Sequence, residues 1–230
     1  MRFSHYFFSF FMKIINKKLK NNEIKKFLRN LAKFLYHKFL FLYHIISPYQ
    51  YLLKFKRKKY SFVEVGCGSS RKKNWLGIDY RFGSGIAFDL RKPLPVPNNF
   101  YKVVYAEHVL EHFSWKDLYK VLNNVKDILQ PGGEFLLSVP DLNKYINCYV
   151  NKEFDKNLIT YKPAISSFES ADLLNYIFYM DGEHKHMFDF DSIKYHLEKV
   201  GFRNIHKRNF DPKLDSHGRN YDSLFIRCEK

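Results

Sequence analysis

The sequence contains few cysteines, and none of them lie at the spacing of a metal-binding or redox pair. Cys67, Cys148 and Cys228 are far apart and odd in number. This pattern excludes a disulfide scaffold and a cysteine-ligated zinc site as organising features of the fold. It indicates a reducing compartment, and we therefore predict a cytoplasmic protein.

Acidic residues are almost absent from the first 60 positions, where Glu23 is the only one. The same segment carries 15 of the 39 Lys and Arg residues, so most of the net charge of +16 belongs to it. The rest of the chain is nearly neutral. We therefore divide the chain into a basic amphipathic helical extension, residues 1–59, and a folded domain, residues 60–230.

Long uncharged apolar runs are also absent. Residues 22–53 mix apolar and basic residues at helical spacing, and the basic side chains make this segment too polar to span a membrane. Pro48 is predicted to end the helix. No small-residue cleavage site follows the apolar residues 3–11, which argues against a signal peptide, and Met12 is a second candidate start.

Three interpretations of the extension remain open. Its helices could pack on the folded domain and shield one edge of the fold. Alternatively, a basic amphipathic helix could lie peripherally on the anionic inner face of a membrane. Binding to nucleic acid is the least favoured, because the aromatic content is high and no folded nucleic-acid motif accompanies the charge.

From Tyr60 onwards, short apolar runs end in polar residues and predict five strands. They are "YSFVEVGCGSS", "NWLGIDY", "GIAFDL", "YKVVYA" and "GEFLLSVPD". Near-continuous apolar runs of this length are typical of parallel strands that are buried on both faces.

Helix signals separate the later strands. Ser114 and Asp117 form an S-x-x-D capping box, and Pro131 ends the helix that follows it. A second helix is predicted from about Asp191 to Val200, before two closing strands in "FRNIHKRNF" and "SLFIRCEK". The predicted fold class is α/β, an open sheet with helices on both faces, whose ligands bind at the carboxyl ends of the strands.

The residues at the strand ends indicate the kind of ligand. Gly66 and Gly68 form a G-x-G turn, but Arg71 stands where a dinucleotide motif has its third glycine. The short interval to Asp79 leaves little room for a helix that would hold a pyrophosphate. A cofactor without phosphates fits better. Asp79 can accept ribose hydroxyls, Asp89 an adenine amine, and the bare glycines can admit an amino-acid moiety.

These motifs resemble those of class I S-adenosylmethionine-dependent methyltransferases of the type 11 kind, and more closely a bacterial group of predicted methyltransferases. The matching segments are "VEVGCGSS", "NWLGIDY", "FDLRKPLPVPNNFYKVVYAEHVLEHF", "ILQPGGEFLLSVPD" and "HKHMFDFDSIKYHLEKVGF". They span roughly residues 60–228. The resemblance implies a Rossmann-like fold, S-adenosylmethionine as cofactor and methyl transfer, and it does not define the acceptor.

The resemblance also assigns seven residues to the cofactor. The methionine end is lined by Glu64, Gly66 and Gly68, the ribose binds Asp79, the adenine is framed by Asp89 and Leu90, and the reacting methyl lies near Glu107. One departure from the wider family is the short interval between Gly68 and Trp75. It leaves the first helix after the glycine turn in doubt and predicts a more open cofactor pocket there.

The stretch "AEHVLEHF" contains His108, Glu111 and His112 as H-x-x-E-H, the spacing of the inverzincin zinc peptidases. That interpretation needs a longer helix than the capping box at Ser114 allows. We favour a methyl-transfer pocket in which His108, the better placed of the two, or His112 removes the proton of a hydroxyl acceptor. Some similar quinone-pathway O-methyltransferases carry E-x-x-E-H here and bind a divalent metal. A metal on His108, Glu111 and His112 is therefore a further, less favoured hypothesis.

The loop "DGEHKHMFDF" places His184 and His186 beyond the fifth strand, where this fold commonly covers its acceptor site. We predict both as candidate substrate residues. The predicted acceptor is a hydroxyl of a small molecule, a glycan or a lipid-linked sugar. The alternative is a noncatalytic module of the same fold that binds a partner or a membrane.

Overall fold

The computed structural model describes residues 22–55, 60–68, 72–81, 85–153, 155–159, 161, 165 and 167–230. Its strands are β1 (Phe62–Val65), β2 (Leu76–Asp79), β3 (Ile86–Ala87), β4 (Tyr101–Glu107), β5 (Leu129–Pro140), β6 (Arg203–Lys207) and β7 (Ser223–Glu229). They form one sheet in the order β3-β2-β1-β4-β5-β7-β6. Strands β1 to β5 are parallel to their neighbours in that set, whereas β7 is antiparallel to β5 and β6.

Five helices accompany the sheet within the described residues. They are α1 (Asn22–Phe55), α2 (Trp115–Ile128), α3 (Leu142–Asn151), α4 (Ser170–Tyr179) and α5 (Phe190–Val200). The predicted open α/β sheet with an N-terminal helix is thus confirmed. The main core consists of buried apolar residues from β1, β2, β4 and β5 together with α2 and α5.

Helix α2 begins, and helix α5 both begins and ends, where the capping residues predict, whereas α2 ends at Ile128 and β5 already begins at Leu129, before the predicted stop at Pro131. The Ser114 hydroxyl accepts a hydrogen bond from the Asp117 backbone N–H at 3.3 Å, and the Asp189 carboxylate accepts one from Ser192 N–H at 2.8 Å. Gly201 ends α5 in the left-handed conformation, with φ of 91°. Because side-chain oxygens satisfy the first backbone donors, the start of each helix is fixed locally.

Three features differ from the sequence prediction. Helix α1 continues through Pro48, although an interior proline removes one backbone donor. Strand β3 ends two residues before Asp89. Helices α3 and α4 were not predicted, and they form a second, smaller core around Tyr145, Leu173 and Tyr176.

Helix α1 lies against β3, the edge strand of the sheet. None of the helices among the described residues combines the length and apolar character needed to cross a membrane. The candidate start at Met12, and Arg71 in the glycine turn, lie outside the described residues. Between β1 and β2, the described residues form turns and no helix.

The chain order of the strands creates a crevice. From β1 the chain builds outward through β2 and β3, and it then crosses to β4 on the other side of β1. The loops that follow β1 and β4 therefore leave the sheet in opposite directions. Open α/β sheets bind their ligands at such a switch point, outside the carboxyl ends of the strands.

Candidate functional site

Two adjoining cavities open at the switch point between β1 and β4. The larger has a volume of about 690 Å³ and the smaller about 270 Å³. Gly66, Gly68 and Glu107 line both of them, so the two volumes form one continuous groove. The groove is large enough for a small-molecule ligand.

The glycine turn after β1 brings bare backbone to this groove. Gly66 has φ of 70°, and an added Cβ there would lie 2.2 Å from Cγ2 of Val109. Gly68 has φ of 60°, and an added Cβ would meet no described atom within 4 Å. The first glycine therefore allows close packing under the groove. The second leaves open space where a side chain would stand.

Asp79, at the end of β2, is held rigidly by two backbone donors. One carboxylate oxygen accepts from Gly68 N–H at 2.8 Å and the other accepts from Arg81 N–H at 2.7 Å. Each oxygen keeps a further lone pair, and the residue lines the larger cavity. This carboxylate can therefore accept hydrogen bonds from two neighbouring hydroxyls of a ligand.

Asp89 lines the same larger cavity as Asp79 and is already paired with an arginine. Its oxygens accept from Nε and a terminal nitrogen of Arg91 at 2.9 and 2.8 Å, in a bidentate ion pair. Burial acts to raise the pKa of Asp89, but the hydrogen bonds from Arg91 outweigh it and lower that pKa below its ordinary value. Asp89 is thus ionised, and the buried Leu90 beside it supplies apolar surface.

The smaller cavity contains an ion pair of which sequence reasoning identified only the acid. Glu64 accepts from the backbone N–H of Lys72 at 2.8 Å and from its Nζ at 3.1 Å. The Lys72 ammonium also lies 4.4 Å from the ring centroid of Tyr105. This carboxylate and ammonium can together bind a zwitterionic amino-acid group. No spacing rule identified Lys72, because its position depends on the path of the turn.

Glu107 joins β4 to the segment between β6 and β7. Its carboxylate accepts from Ser216 N–H at 2.9 Å and from the Ser216 hydroxyl at 2.5 Å. Next to Ser216, the buried Asp215 carboxylate accepts two hydrogen bonds from the guanidinium of Arg208, each 2.6 Å long. The Tyr105 hydroxyl lies between the two carboxylates, 2.8 Å from Glu107 and 2.9 Å from Asp215. This network closes one end of the groove.

The H-x-x-E-H stretch forms a single 3-10 turn, Leu110–His112, as the capping box predicts. His108 lies outside that turn with φ of 51°, so the two histidines do not share a helical face. The inverzincin arrangement is therefore absent. The His108 side chain is buried. Its Nε2 is 2.6 Å from the Ser223 hydroxyl and its Nδ1 is 3.4 Å from a Glu111 oxygen.

Glu111 meets His112 and His184 beside this turn. One ligating atom from each of the three residues lies within 4.8 Å of the others. Glu111 is fully buried, and burial raises the pKa of its carboxyl to about 8. Burial also lowers the pKa of His184 to about 4 and that of His108 well below its ordinary value. The imidazoles of His108 and His184 are therefore neutral at pH 7.

The loop around residue 184 is packed against the turn. The backbone N–H groups of Lys185 and His186 both donate to the Glu111 carbonyl, at 2.8 and 3.2 Å. The His186 ring stacks on Trp115 with a centroid distance of 3.5 Å. Of the two predicted substrate histidines, His184 thus joins the cluster, and His186 packs on helix α2.

The groove brings most of the sequence-predicted residues together. Nine of them line its cavities: Glu64, Gly66, Gly68, Asp79, Asp89, Leu90, Glu107, His108 and His112. His184 lies behind His112, with a ring-centroid separation of 5.0 Å. The cofactor assignment from the sequence omitted some of the residues that line the groove. Those that come from loops are Lys72, Glu183, Ser216 and Arg219, and the positions of these loops depend on tertiary packing.

The chain is similar to known methyltransferases. A family model described as a methyltransferase domain matches residues 36–207. The fold is similar to the crystal structure of an S-adenosylmethionine-dependent methyltransferase from Archaeoglobus fulgidus, with 15% identity and a TM-score of 0.48, over 80% of this chain and 95% of that one. The fold is also similar to that of a Thermotoga maritima methyltransferase, described as a possible histamine N-methyltransferase. The identity is 16% and the TM-score is 0.47, over 84% of this chain and 94% of that one. No curated protein matches the chain by sequence.

Proposed function

The chain belongs to the family of methyltransferase domains, and we propose that it transfers the methyl group of S-adenosylmethionine to a hydroxyl oxygen. The proposed acceptor is a small molecule, a glycan or a lipid-linked sugar. When bound, S-adenosylmethionine supplies an electrophilic methyl group on a sulfonium. The observation that carries this proposal is the groove at the switch point, where bare glycine backbone faces a rigid carboxylate.

The residues of the groove fit the cofactor in its three parts. Glu64 and Lys72 provide a carboxylate and an ammonium for the amino-acid group, next to the open space at Gly68. Asp79 presents oxygens with remaining lone pairs to the ribose hydroxyls. Asp89 and Leu90 line the continuation of the groove, where the adenine would lie.

The proposed reaction requires the acceptor oxygen to approach the methyl group in line with the sulfonium and to lose its proton. We assign proton removal to the cluster of Glu111, His112 and His184. His112 lines the groove, and its Nδ1 is 3.1 Å from the Glu183 carbonyl, which leaves Nε2 as the basic atom. His108 is less suited as the base, because both of its ring nitrogens already face protein atoms.

Labelled methyl transfer tests this function. The purified protein is incubated with S-adenosylmethionine carrying a labelled methyl group and with fractionated cell extract, and the labelled product is identified. We expect a labelled methyl ether and calorimetric binding of S-adenosylmethionine. Absence of cofactor binding would refute the proposal. Binding without transfer to any fraction would favour the noncatalytic module, and label on nitrogen or carbon would overturn the hydroxyl acceptor.

We also propose that the extension, residues 1–59, rests on an anionic membrane surface. Helix α1 exposes eleven large apolar side chains: Ile24, Phe27, Leu31, Phe34, Leu35, Phe39, Phe41, Leu42, Ile45, Ile46 and Tyr49. Basic residues such as Lys26 and Lys33 are also exposed on this helix. Apolar and basic side chains on one surface helix favour an interface with anionic lipid.

Flotation with anionic vesicles tests the membrane proposal on the full chain. Phe27, Phe34 and Phe41 are seven residues apart and lie on one face of α1, so their combined replacement by serine should abolish flotation. Replacement of the exposed Phe168, outside α1, by serine is the matched control and should leave flotation unchanged. If the unmodified chain does not float, the membrane proposal is wrong.

A further inference from the structure

The cluster of Glu111, His112 and His184 brings two imidazole nitrogens and a buried carboxyl group within 4.8 Å of one another. We propose that these three residues bind one divalent transition metal ion of the zinc class. The inference deepens the proposed function and rests on it only for the role of the ion, since the site itself is defined by the protein. This ligand set differs from the one that the H-x-x-E-H spacing predicts, because it includes His184 in place of His108.

Hydrogen bonds to backbone carbonyls fix the tautomers of both imidazoles. His112 Nδ1 is 3.1 Å from the Glu183 carbonyl oxygen, and His184 Nδ1 is 2.6 Å from the Ile177 carbonyl oxygen. A carbonyl can only accept, so each Nδ1 must carry the proton. Each neutral imidazole therefore presents the lone pair of its Nε2. This arrangement, with the second ring nitrogen bound to a carbonyl, is the usual one for histidines that ligate metals.

Glu111 supplies the third donor. Its side chain is fully buried, and neither carboxylate oxygen accepts a hydrogen bond from another described residue. His112 Nε2 is 4.0 Å from one of these oxygens. A buried carboxylate without donors is costly unless a cation or a proton compensates it.

The neighbouring His108 supplies no proton in its neutral form. The Ser223 hydroxyl donates to Asp222 at 2.7 Å, so its oxygen must accept from His108 Nε2 at 2.6 Å. His108 Nδ1 then carries a lone pair, and it lies 3.4 Å from the Glu111 carboxylate. A further lone pair therefore faces Glu111, so either the proton of the carboxyl group or a cation must lie at this point.

The donor set favours a zinc-like ion over magnesium or calcium. Two imidazole nitrogens and one carboxylate oxygen suit borderline transition metals, whereas magnesium and calcium prefer oxygen ligands. The three ligating atoms lie within 4.8 Å of one another, compared with about 3.3 Å in a tetrahedral zinc site. Binding would therefore draw the three ligating atoms closer together, and His112 is the exposed side chain among them.

The position of the cluster gives the ion a role in the reaction. His112 lines the larger cavity, so a fourth coordination position would face the acceptor. A hydroxyl bound to the ion would lose its proton more readily than a free one. The proton would pass to water beside the exposed His112, which would then act as a ligand and not as the base. The Arg219 guanidinium, which also lines this cavity, is paired with Asp222 at 3.1 Å, so its charge is partly neutralised.

Direct metal binding to the full chain tests the inference without measuring activity. The protein is stripped with a chelator, and Zn²⁺ binding is followed by calorimetry, with Co²⁺ as a spectroscopic probe and Mg²⁺ in parallel. We expect one Zn²⁺ per chain, a visible absorption band of low-coordinate Co²⁺, and weaker binding of Mg²⁺. Glu111→Gln and His184→Ala should each weaken Zn²⁺ binding by at least about 100-fold, since they remove a ligand.

His186→Gln is the matched control, because His186 lies in the same loop but stacks on Trp115. This variant should bind Zn²⁺ with the affinity of the unmodified chain. Circular dichroism of the metal-free variants shows whether they are folded. The inference is overturned if the stripped protein binds no Zn²⁺, if Mg²⁺ binds more tightly, or if folded Glu111→Gln and His184→Ala variants bind Zn²⁺ normally. Cofactor binding on the same samples separates this failure from failure of the proposed function.

Discussion

The two walls of the groove satisfy their polar groups in opposite ways. The cofactor wall, which comprises Gly66, Gly68, Asp79 and Asp89, has carboxylates that accept hydrogen bonds from nearby backbone or from Arg91. The histidine wall, which comprises His108, Glu111, His112 and His184, has a buried carboxylate that accepts none from another described residue. The first wall has its charges paired by the protein, whereas burial raises the pKa of the carboxyl group in the second, which requires a proton or a bound cation.

This difference separates binding from chemistry. A wall whose charges are already paired binds a ligand by shape and by its remaining lone pairs, with little change in protonation. In the histidine wall, burial shifts the pKa values of His108, Glu111 and His184, and such groups cluster at sites where protons or metal ions are exchanged. Substitutions in the cofactor wall should therefore change affinity, and substitutions in the histidine wall should change metal binding and turnover.

The largest loss of stability is expected for a substitution in the segment between β6 and β7, which the ion pair of Arg208 and Asp215 holds in place. Asp215→Asn removes the buried partner of Arg208 and should lower the free energy of unfolding by about 3–5 kcal/mol, as for other buried ion pairs. Denaturant unfolding at pH 7 measures this change. Asp211→Asn alters a nearby exposed carboxylate and should cost much less, so equal losses in both variants would contradict the prediction.

The same carboxylate predicts the direction of a pH effect. Burial acts to raise the pKa of Asp215, but hydrogen bonds from Arg208 lower it below the ordinary value of 3.8. Because folding favours the ionised form, its contribution is present above pH 3.8 and is lost as the pH falls through the lowered pKa. The unmodified chain should therefore lose stability below about pH 4 more steeply than Asp215→Asn, as measured by thermal unfolding.

A smaller loss, confined to cofactor affinity, is expected for Asp79→Ala. The change removes the proposed ribose acceptor and two hydrogen bonds that order the glycine turn. We expect S-adenosylmethionine to bind about 100-fold more weakly by calorimetry, with Zn²⁺ binding unchanged. Asp155→Ala, which removes a backbone-capping carboxylate outside the groove, is the control. If Asp155→Ala weakens S-adenosylmethionine binding to a similar extent, Asp79 is not a cofactor ligand.

Gly66→Ala and Gly132→Ala form a matched pair, because the two glycines have φ of 70° and 71°. Both substitutions carry the cost of a left-handed alanine, about 1–2 kcal/mol. Only the Cβ at residue 66 would collide with Val109. We expect Gly66→Ala to be less stable than Gly132→Ala by roughly another 1–3 kcal/mol in denaturant unfolding. Equal stabilities would show that the packing under the groove is looser than described.

The smallest effect is expected for Lys72→Met. Loss of the ammonium removes one proposed contact to the amino-acid group but leaves the backbone N–H bond to Glu64. S-adenosylmethionine should bind roughly 10-fold more weakly, which corresponds to one charge-assisted hydrogen bond. Lys73→Met, on the exposed neighbouring residue, should have no effect. If the two variants behave alike, Lys72 is not a cofactor ligand.

The cofactor wall could be predicted from the sequence because its residues follow buried strands directly. Apolar runs located β1, β2 and β4, and parallel strands bring their carboxyl ends to one edge. Capping residues such as Ser114 and Gly201 located the ends of helices for an equally local reason. Pro48 was misread because proline removes one backbone donor and disfavours a helix interior, but it does not always end the helix.

The histidine wall depends on contacts between distant parts of the chain. His184 meets Glu111 only because helices α3 and α4 place its loop against the 3-10 turn, and these helices were not predicted. A signal was present in "ADLLNYIFY", where Leu173, Tyr176 and Ile177 fall on one helical face and are buried. Even with that helix, the sequence could not specify how its loop packs.

The place of β7 in the sheet has a consequence for biosynthesis. β7 follows β6 in the chain yet lies between β5 and β6, so β6 has no described strand partner other than β7. Until β7 has been synthesised, the side of β5 that pairs with it stays exposed. The contacts of Asp222 and Ser223 with His108 in the histidine wall are then also incomplete. A chain that ends before this point would have an open sheet edge, which is prone to aggregation.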